Sequence, residues 1–570
     1  MLTACHKQVL LFILTIASQA VFAQRGDALS LSKRVADKVI ADTKFEWKRV
    51  PQKEELGMHV VDFRFLALKS NETGYALRRA IVKKDTLVRI GITSSGKVKI
   101  FVNDIAVWEQ QKHEAASNPV ETAYNRFEFT HYITMLFRKG LNEFLIAHEG
   151  GSANPVVFLR PVTKAGDLDL ALDFDAGLLS RYWQYAGPFY DRPTSALEIV
   201  PCYKQGDNSF CWQPAPEVML RELAVDSQAA YQRDPYADWQ YSHGTMFWSI
   251  LGLGTETKDP KYASFIKKYT QFVLDNIDSS KWQYDSLYAW RGAYHRIFRR
   301  TMLDDAGAPA LAFAGLYLED KDPAIAAFLQ PLINYVYSRQ VRLTDRTFCR
   351  PEPEEFTVWA DDLFMSVPFL IRMAKATGKN EYLEDAVLQA IRFRKYLLDS
   401  QTGLYKHGWF SKSNRQSAVN WGRANGWVAW ATAELLDWLP VNHPSYKNIK
   451  EAFRQHMNSL LKYQDKNGSW HQILTRTDSY EETSCTAMFA LAMARGVRKG
   501  WLDQSFKRPA LRAWAAVAAN IDAKGVVHGI CRGTEIGVDE QFYLDRKTID
   551  NDPRGLGAVI AAGIEIAKLP

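Results

Sequence analysis

Several absences narrow the field before any motif is considered. The 570 residues contain no run of five or more Lys or Arg, so there is no basic block of the kind that grips nucleic acid. No Cys-x-x-Cys and no Cys/His pair has zinc spacing, and neither a Walker loop nor a Rossmann fingerprint is present. Beyond the N-terminal region nothing approaches 18 uninterrupted apolar residues, so membrane insertion is not expected. Glycine (33) and proline (22) are too sparse for a fibrous chain, while 47% hydrophobic against 24% charged residues is too apolar for disorder.

Cysteine is also scarce. Lys7 precedes an apolar run from Val9 to Ala23, and Val21 and Ala23 are the small residues a signal peptidase needs, so residues 1–23 are expected to be a signal peptide cut before Gln24. The expected destination is the periplasm; Cys5 lies before the apolar run rather than after it, unlike a lipoprotein box. Cleavage leaves Cys202, Cys211, Cys349, Cys485 and Cys531, an odd set and no disulfide framework, although Cys202 and Cys211 are close enough to bridge a loop. It also removes Lys7, the one charged residue of that stretch, taking the net charge from +7 to +6, a mild basic bias that suits acidic sugars. Aromatic residues are plentiful by contrast: 17 Trp fit either stacking on sugar rings or a large helical core.

Two regions differ in period. From about residue 58 to 162, Val60–Phe65, Leu87–Ile92, Lys97–Val102 and Asn142–Ile146 alternate as strands between turn signals. After about residue 215 the period is helical and repeats: Pro260, Pro323, Glu381, Pro444 and Pro509 each open an amphipathic stretch, at intervals of 63, 58, 63 and 65 residues. Between those marks one Asp/Gly loop recurs, as Asp399–His407, Asp465–His471 and Asp522–His528. About six helix pairs of this period can close into a double ring. An open solenoid of the same pairs would want polar ends, and Leu556–Ile566 is apolar. The expected fold class is therefore mainly α, an (α/α)6 barrel over residues 206–570, with an N-terminal β-sandwich resembling a jelly roll, and its linker, over 24–205.

All the recurring loops leave one side of such a barrel, which gathers their Trp, His, Arg and Asp at one mouth. Asp361 and Asp362 begin a helix next to Trp359; adjacent positions point about 100° apart, so one can cap the helix while the other faces the mouth. Asp304 and Asp305 repeat the form one unit earlier, and two carboxylates in one cavity suit acid/base work on a glycoside. Arg423 and Trp427 share a helix face, either as a cation–π pair or as a fork and a plate for an acidic sugar. His407 and Trp409 come from the preceding loop, Trp470 and Gln472 repeat the arrangement one unit later, and Tyr241 and His243 open the first inner helix. These, with Trp359, are the candidate substrate contacts.

Together, Trp239–Gly244, Asp304–Gly307, Trp359–Phe369, Gly403–Trp409, Trp421–Trp427, Glu482–Met488 and Asn551–Gly557 resemble the unsaturated rhamnogalacturonyl hydrolases, glycoside hydrolase family 105, relatives of the family 88 unsaturated glucuronyl hydrolases. The resemblance covers roughly residues 215–570 and implies the same sixfold barrel. It also implies removal of a uronate with a C4=C5 double bond from the non-reducing end of lyase products. One aspartate protonates C4 and helps water add at C5; the hemiketal opens and the aglycone leaves. By motif position that aspartate is Asp361, Asp305 is the second carboxylate through Asp-x-Gly, and Tyr241, His407, Arg423 and Trp427 hold the uronate. Asp304 and Asp362 are the alternatives one residue away. No metal or cofactor is implied. The competing reaction is an inverting glycosidase acting on saturated oligosaccharides with two carboxylates, and a third reading is a non-catalytic sugar binder. Pectic rhamnogalacturonan, ulvan, arabinogalactan and glycosaminoglycans all yield such uronates, and these motifs do not choose among them.

Overall fold

A computed structural model describes residues 27–112, 118–162, 183–190, 212–225, 234–537 and 539–569. The expected signal peptide and the Cys202/Cys211 pair lie outside the described residues. The chain forms two compact units.

The β unit comprises Arg49–Leu220 and Leu287–Arg291. Its two larger sheets are built from alternating strands. One runs in the order Gln213–Pro214, Gln184–Tyr190, Glu72–Val82, Gly140–Glu149, Val98–Val102, Ile105–Gln110, and the other in the order His59–Asp62, Val156–Pro161, Thr86–Ser94, His131–Phe137. Every second residue of Thr86–Ser94 and of Val98–Val102 turns inward, and Val88, Ile90, Ile92, Val98 and Ile100 meet Val61, Ala76, Phe144 and Val157 in one core. This is the sandwich that the alternation predicts.

The helical unit is a double ring. Its helices, in chain order, are α1 (27–42), α2 (Tyr241–Thr257), α3 (Pro260–Ser286), α4 (Leu311–Asp320), α5 (Pro323–Asn334), α6 (Asp362–Thr377), α7 (Asn380–Leu397), α8 (Gly422–Trp438), α9 (Tyr446–Leu461), α10 (Thr483–Arg498), α11 (Lys507–Ala519) and α12 (Pro553–Ala567). The even-numbered helices each pack on the next, and α12 packs back on α2, closing the inner ring. The odd-numbered helices are outer: α9 buries Ile449, Phe453, Met457 and Leu460 at helical spacing and leaves its other face wet. Each such side chain stabilises the barrel by about 1.5–3 kcal/mol. Helix starts are fixed locally, by Asp322 and Asp552 accepting from Ala324 and Arg554 N–H, with Pro323 and Pro553 in the first turn.

The expected boundary at residues 205/206 needs correction. Residues 27–48 belong to the helical unit and 212–220 to the β unit. Helix α1 supplies the sixth outer helix: Ala28, Leu31, Val35, Ala36 and Val39 are buried in the barrel core, and Ser32 Oγ donates to the Ile560 carbonyl of α12 at 3.1 Å. The ring thus needs a segment that precedes the sandwich in sequence. Among the described residues no helix is long and apolar enough to cross a membrane.

Candidate active site

The N-termini of the inner helices carry the candidate chemistry. Asp361 occupies the N-cap position of α6, yet its backbone is already helical (φ −57°, ψ −34°) and its side chain makes no capping bond. A carboxylate withheld from the local role its position offers is available for another. The turn bearing Asp304 and Asp305 is pressed against α6 at Gly307, where a Cβ would fall 1.7 Å from the Met365 carbonyl oxygen. Only glycine permits that approach, which brings the two acidic pairs together.

Arg350 knits them. An antiparallel bridge with Thr357 turns its chain back toward α6. Its guanidinium meets Asp304 at 2.8 Å and Asp362 at 2.5 Å and lies 4.5 Å over the Trp359 ring. Three carboxylates therefore share one guanidinium: Asp304, Asp362 and, at longer range, Asp361. Burial lifts Asp362 from the ordinary 3.8 to about 6, against the pull of Arg350 and with the help of Asp304 and Asp361. Burial lifts Asp304 as well, again in spite of Arg350.

The sign of this shift is testable. A raised carboxylate binds its proton more tightly folded than unfolded, so its stabilising effect is complete below pH 3.8 and is lost as pH rises to about 6. Denaturant titrations between those values should show a shallower loss of stability with pH in Asp362→Asn than in the unaltered protein. Equal slopes would remove Asp362 as the group that holds the proton.

His407 completes the constellation. Thr357–Trp359 pairs antiparallel with Gly408–Phe410, and Ala360 N–H donates to the His407 carbonyl at 2.9 Å, setting the imidazole beside Asp361. Nε2 is 3.3 Å from Asp361 Oδ2, and Nδ1 is 2.8 Å from the Tyr543 hydroxyl. The ring rests on Trp421 at 4.5 Å and meets the edge of Trp359 at 5.7 Å. Tyr241, half-buried, stands edge-on to Trp427 at 6.3 Å, and Trp427 leans on Phe364 of α6.

Other expected site residues are placed elsewhere. Asp305 is fully buried and saturated: the Arg299 fork donates at 2.8 and 3.0 Å and Thr301 adds its N–H at 2.9 Å. It braces the turn, and the exposed member of the pair is Asp304. His243 is buried against the Asp238 carbonyl at 3.0 Å, and burial takes it down to about 4, so it stays a neutral core histidine. Trp409 sits opposite Val358 in the strand pair and packs on Tyr396 of the outer helix α7, at 4.6 Å. Trp470 lies in the core, donating to the Leu460 carbonyl at 2.8 Å. Gln472 donates to the Tyr543 carbonyl at 2.7 Å, and Arg423 to the Cys531 and Arg532 carbonyls, the latter at 2.8 Å. These two side chains hold backbone.

Sequence reading missed Arg350 and Tyr543. Arg350 gave no signal, because its partners lie 12 and 46 residues away. Tyr543 lies outside every repeat loop. Among the described residues no group of three or more His, Cys, Asp or Glu is arranged to hold a metal ion.

Comparison with known proteins adds to this geometry. A family model described as Glycosyl Hydrolase Family 88 matches residues 219–570. The unsaturated rhamnogalacturonyl hydrolase YesR of Bacillus subtilis (strain 168) is 27% identical over 334 residues, spanning 57% of this chain and 89% of that protein. An unsaturated 3S-rhamnoglycuronyl hydrolase of Alteromonas sp. (strain LOR) is 30% identical over 214 residues, 36% of this chain and 50% of that protein. Among solved structures, a possible GH105 member from Salmonella enterica matches with a TM-score of 0.53 at 24% identity, over 60% of this chain and 87% of that one. That likeness concerns the fold.

Proposed function

The chain belongs to glycosyl hydrolase family 88 and is a glycoside hydrolase, and from that premise we propose that it removes a Δ4,5-unsaturated uronic acid from the non-reducing end of lyase-generated oligosaccharides. The observation that carries the reading is the Asp361 carboxylate. It neither caps its helix nor pairs with Arg350, and its Oδ2 has no aligned hydrogen bond, only the His407 Nε2 at 3.3 Å. In this reading Asp361 donates a proton to C4 and its carboxylate then takes one from the water that adds at C5. The C4=C5 π bond is replaced by C–H and C–O bonds, and the resulting hemiketal opens to release the aglycone. No bond to the anomeric carbon is attacked directly.

The second carboxylate is assigned to Asp304, one residue from the motif position first expected. It shares Arg350 with Asp362 and is partly exposed, with 22% of its side chain accessible, whereas Asp305 has none. An anionic sugar suits this mouth for two further reasons. Inner-helix N-termini, which carry partial positive charge, end there. Arg554, at the start of α12, pairs with Asp552 at 2.9 Å and is the charged group with the largest effect on Tyr241, so its field reaches the mouth. The YesR and 3S-rhamnoglycuronyl relatives make unsaturated rhamnogalacturonyl and rhamnoglycuronyl oligosaccharides the first substrates to test.

A panel of unsaturated uronyl disaccharides beside saturated counterparts tests the reaction. Loss of the enol ultraviolet absorbance on the unsaturated sugars alone is expected. Cleavage of the saturated sugars alone would replace this reading with a two-carboxylate inverting glycosidase. Export to the periplasm, proposed from the Val9–Ala23 run, is checked by fractionation of the native host.

A further inference from the structure

We propose that Tyr543 is a positioning residue that fixes the tautomer of His407, so that Nε2–H is the group presented to Asp361; the catalytic consequence rests on the reading of Asp361 as the acid. His407 is completely buried, with its ring held by Trp421 and Trp359. One nitrogen faces the Tyr543 hydroxyl at 2.8 Å and the other faces Asp361 at 3.3 Å. The Tyr543 oxygen also accepts the Gly537 N–H, at 3.0 Å.

Two neutral arrangements are available. In the first, the phenol donates to Nδ1, and Nε2–H faces the carboxylate at 3.3 Å without an aligned hydrogen bond. In the second, Nδ1–H donates to the phenol oxygen. The phenol proton is then buried with no acceptor among the described contacts, and Nε2 turns a lone pair instead of a donor toward Asp361. The second arrangement leaves the phenol donor unsatisfied, a cost comparable to a lost buried hydrogen bond. Burial pushes the Tyr543 phenol well above the ordinary tyrosine range, so it keeps the proton this arrangement needs.

The segment that carries the hydroxyl is held by buried polar side chains. Arg423 grips the Cys531 and Arg532 carbonyls, Glu482 accepts the Cys531 N–H at 2.9 Å, and Gln472 grips the Tyr543 carbonyl. Asp539 caps the short helical turn Glu540–Leu544, accepting from Phe542 N–H at 2.9 Å. Three buried polar side chains, Arg423 in the first turn of α8 and Gln472 and Glu482 from the segment before α10, thus converge on the segment that delivers Tyr543. The consequence for the reaction is directional. With Nε2–H facing Oδ2 at 3.3 Å, Asp361 gives up its proton from Oδ1 to C4, the electron pair stays on the carboxylate, and the charge formed meets a donor beside it.

The test uses the full-length protein labelled with nitrogen-15 histidine, with the His407 ring signals assigned by their loss in His407→Gln. The expected result is an Nε2-protonated ring in the unaltered protein and a mixed or Nδ1-protonated ring in Tyr543→Phe. With the unsaturated disaccharide, kcat should fall about 10-fold while KM changes less than about 2-fold. An Nδ1-protonated ring in the unaltered protein overturns the proposal, and so does a Tyr543→Phe variant with unchanged ring signals and kcat. Should Asp361→Asn retain activity, the reaction assignment fails instead, and the ring signals still decide the tautomer.

Discussion

Asp361→Asn is expected to lower kcat on an unsaturated uronyl disaccharide by about 10²–10⁴-fold, the usual contribution of a placed acid or base, without changing the melting temperature. The two halves of this expectation come from one structural fact. The Asp361 side chain makes no capping bond at the start of α6 and no pair with Arg350, so its amide, nearly the same shape, removes the proposed proton donor and breaks neither a cap nor an ion pair with Arg350. Stability should stay within about 0.5 kcal/mol, as for a substitution away from caps, cavities and buried pairs. Asp305→Asn should behave oppositely: it removes the charge that holds Arg299 in a fully buried fork, so the loss appears in melting before it appears in kcat. Asp304→Asn should resemble Asp361→Asn in activity. Absorbance assays on the three purified variants, with thermal melts in parallel, separate these outcomes. More than a tenth of normal kcat in Asp361→Asn would remove it as the proton donor.

The contrast between Asp304 and Asp305 also shows where sequence reasoning reaches its limit. The outer helices could be read because their start signals are local: Pro260 and Pro323 are first residues of α3 and α5, Glu381 lies in the first turn of α7, and the apolar period of each runs uninterrupted. The sandwich strands could be read for the same reason. Helix α1 has an equally local signal, Ala28, Leu31, Val35 and Val39 at helical spacing, but its place in the ring depends on α12, at the other end of the chain. Adjacent aspartates carry no local mark of their roles. Their partners reach them through space, Arg299 at Asp305 and Arg350 at both Asp304 and Asp362. Trp359 and Trp409 likewise look equivalent as loop tryptophans until strand pairing sets Trp409 opposite Val358 and turns it to the outer helix. Of the residue types that suit sugars, Arg423 and Gln472 hold backbone, and that too depends on partners distant in sequence.

The largest expected loss of stability lies at the far end of the inner helices from this mouth. Arg372 of α6, Glu434 of α8, Arg495 of α10 and Glu565 of α12 form a buried relay, each in the last two turns of its helix. Glu434 accepts from Arg372 at 2.9 Å and from Arg495, and Glu565 accepts from Arg495 at 2.9 Å and Arg498 at 2.7 Å. Glu434→Ala leaves two buried guanidinium groups short of a counter-charge, which costs about 3–5 kcal/mol when one partner of a buried pair is removed. A double ring of this size should then melt well below the unaltered protein, while any folded fraction keeps its KM, since no residue of the relay touches the mouth. The pH dependence runs opposite to that of Asp362. Burial alone would raise Glu434 and Glu565, but the arginines outweigh it and hold both below the ordinary 4.5. Their stabilising effect is therefore complete above pH 4.5 and is lost as pH falls through the lowered values. Acid unfolding should begin at a higher pH in Glu565→Gln than in the unaltered protein if Glu565 holds four consecutive even-numbered helices in register. An acid midpoint and melting temperature unchanged by both substitutions would show that apolar packing alone closes the ring.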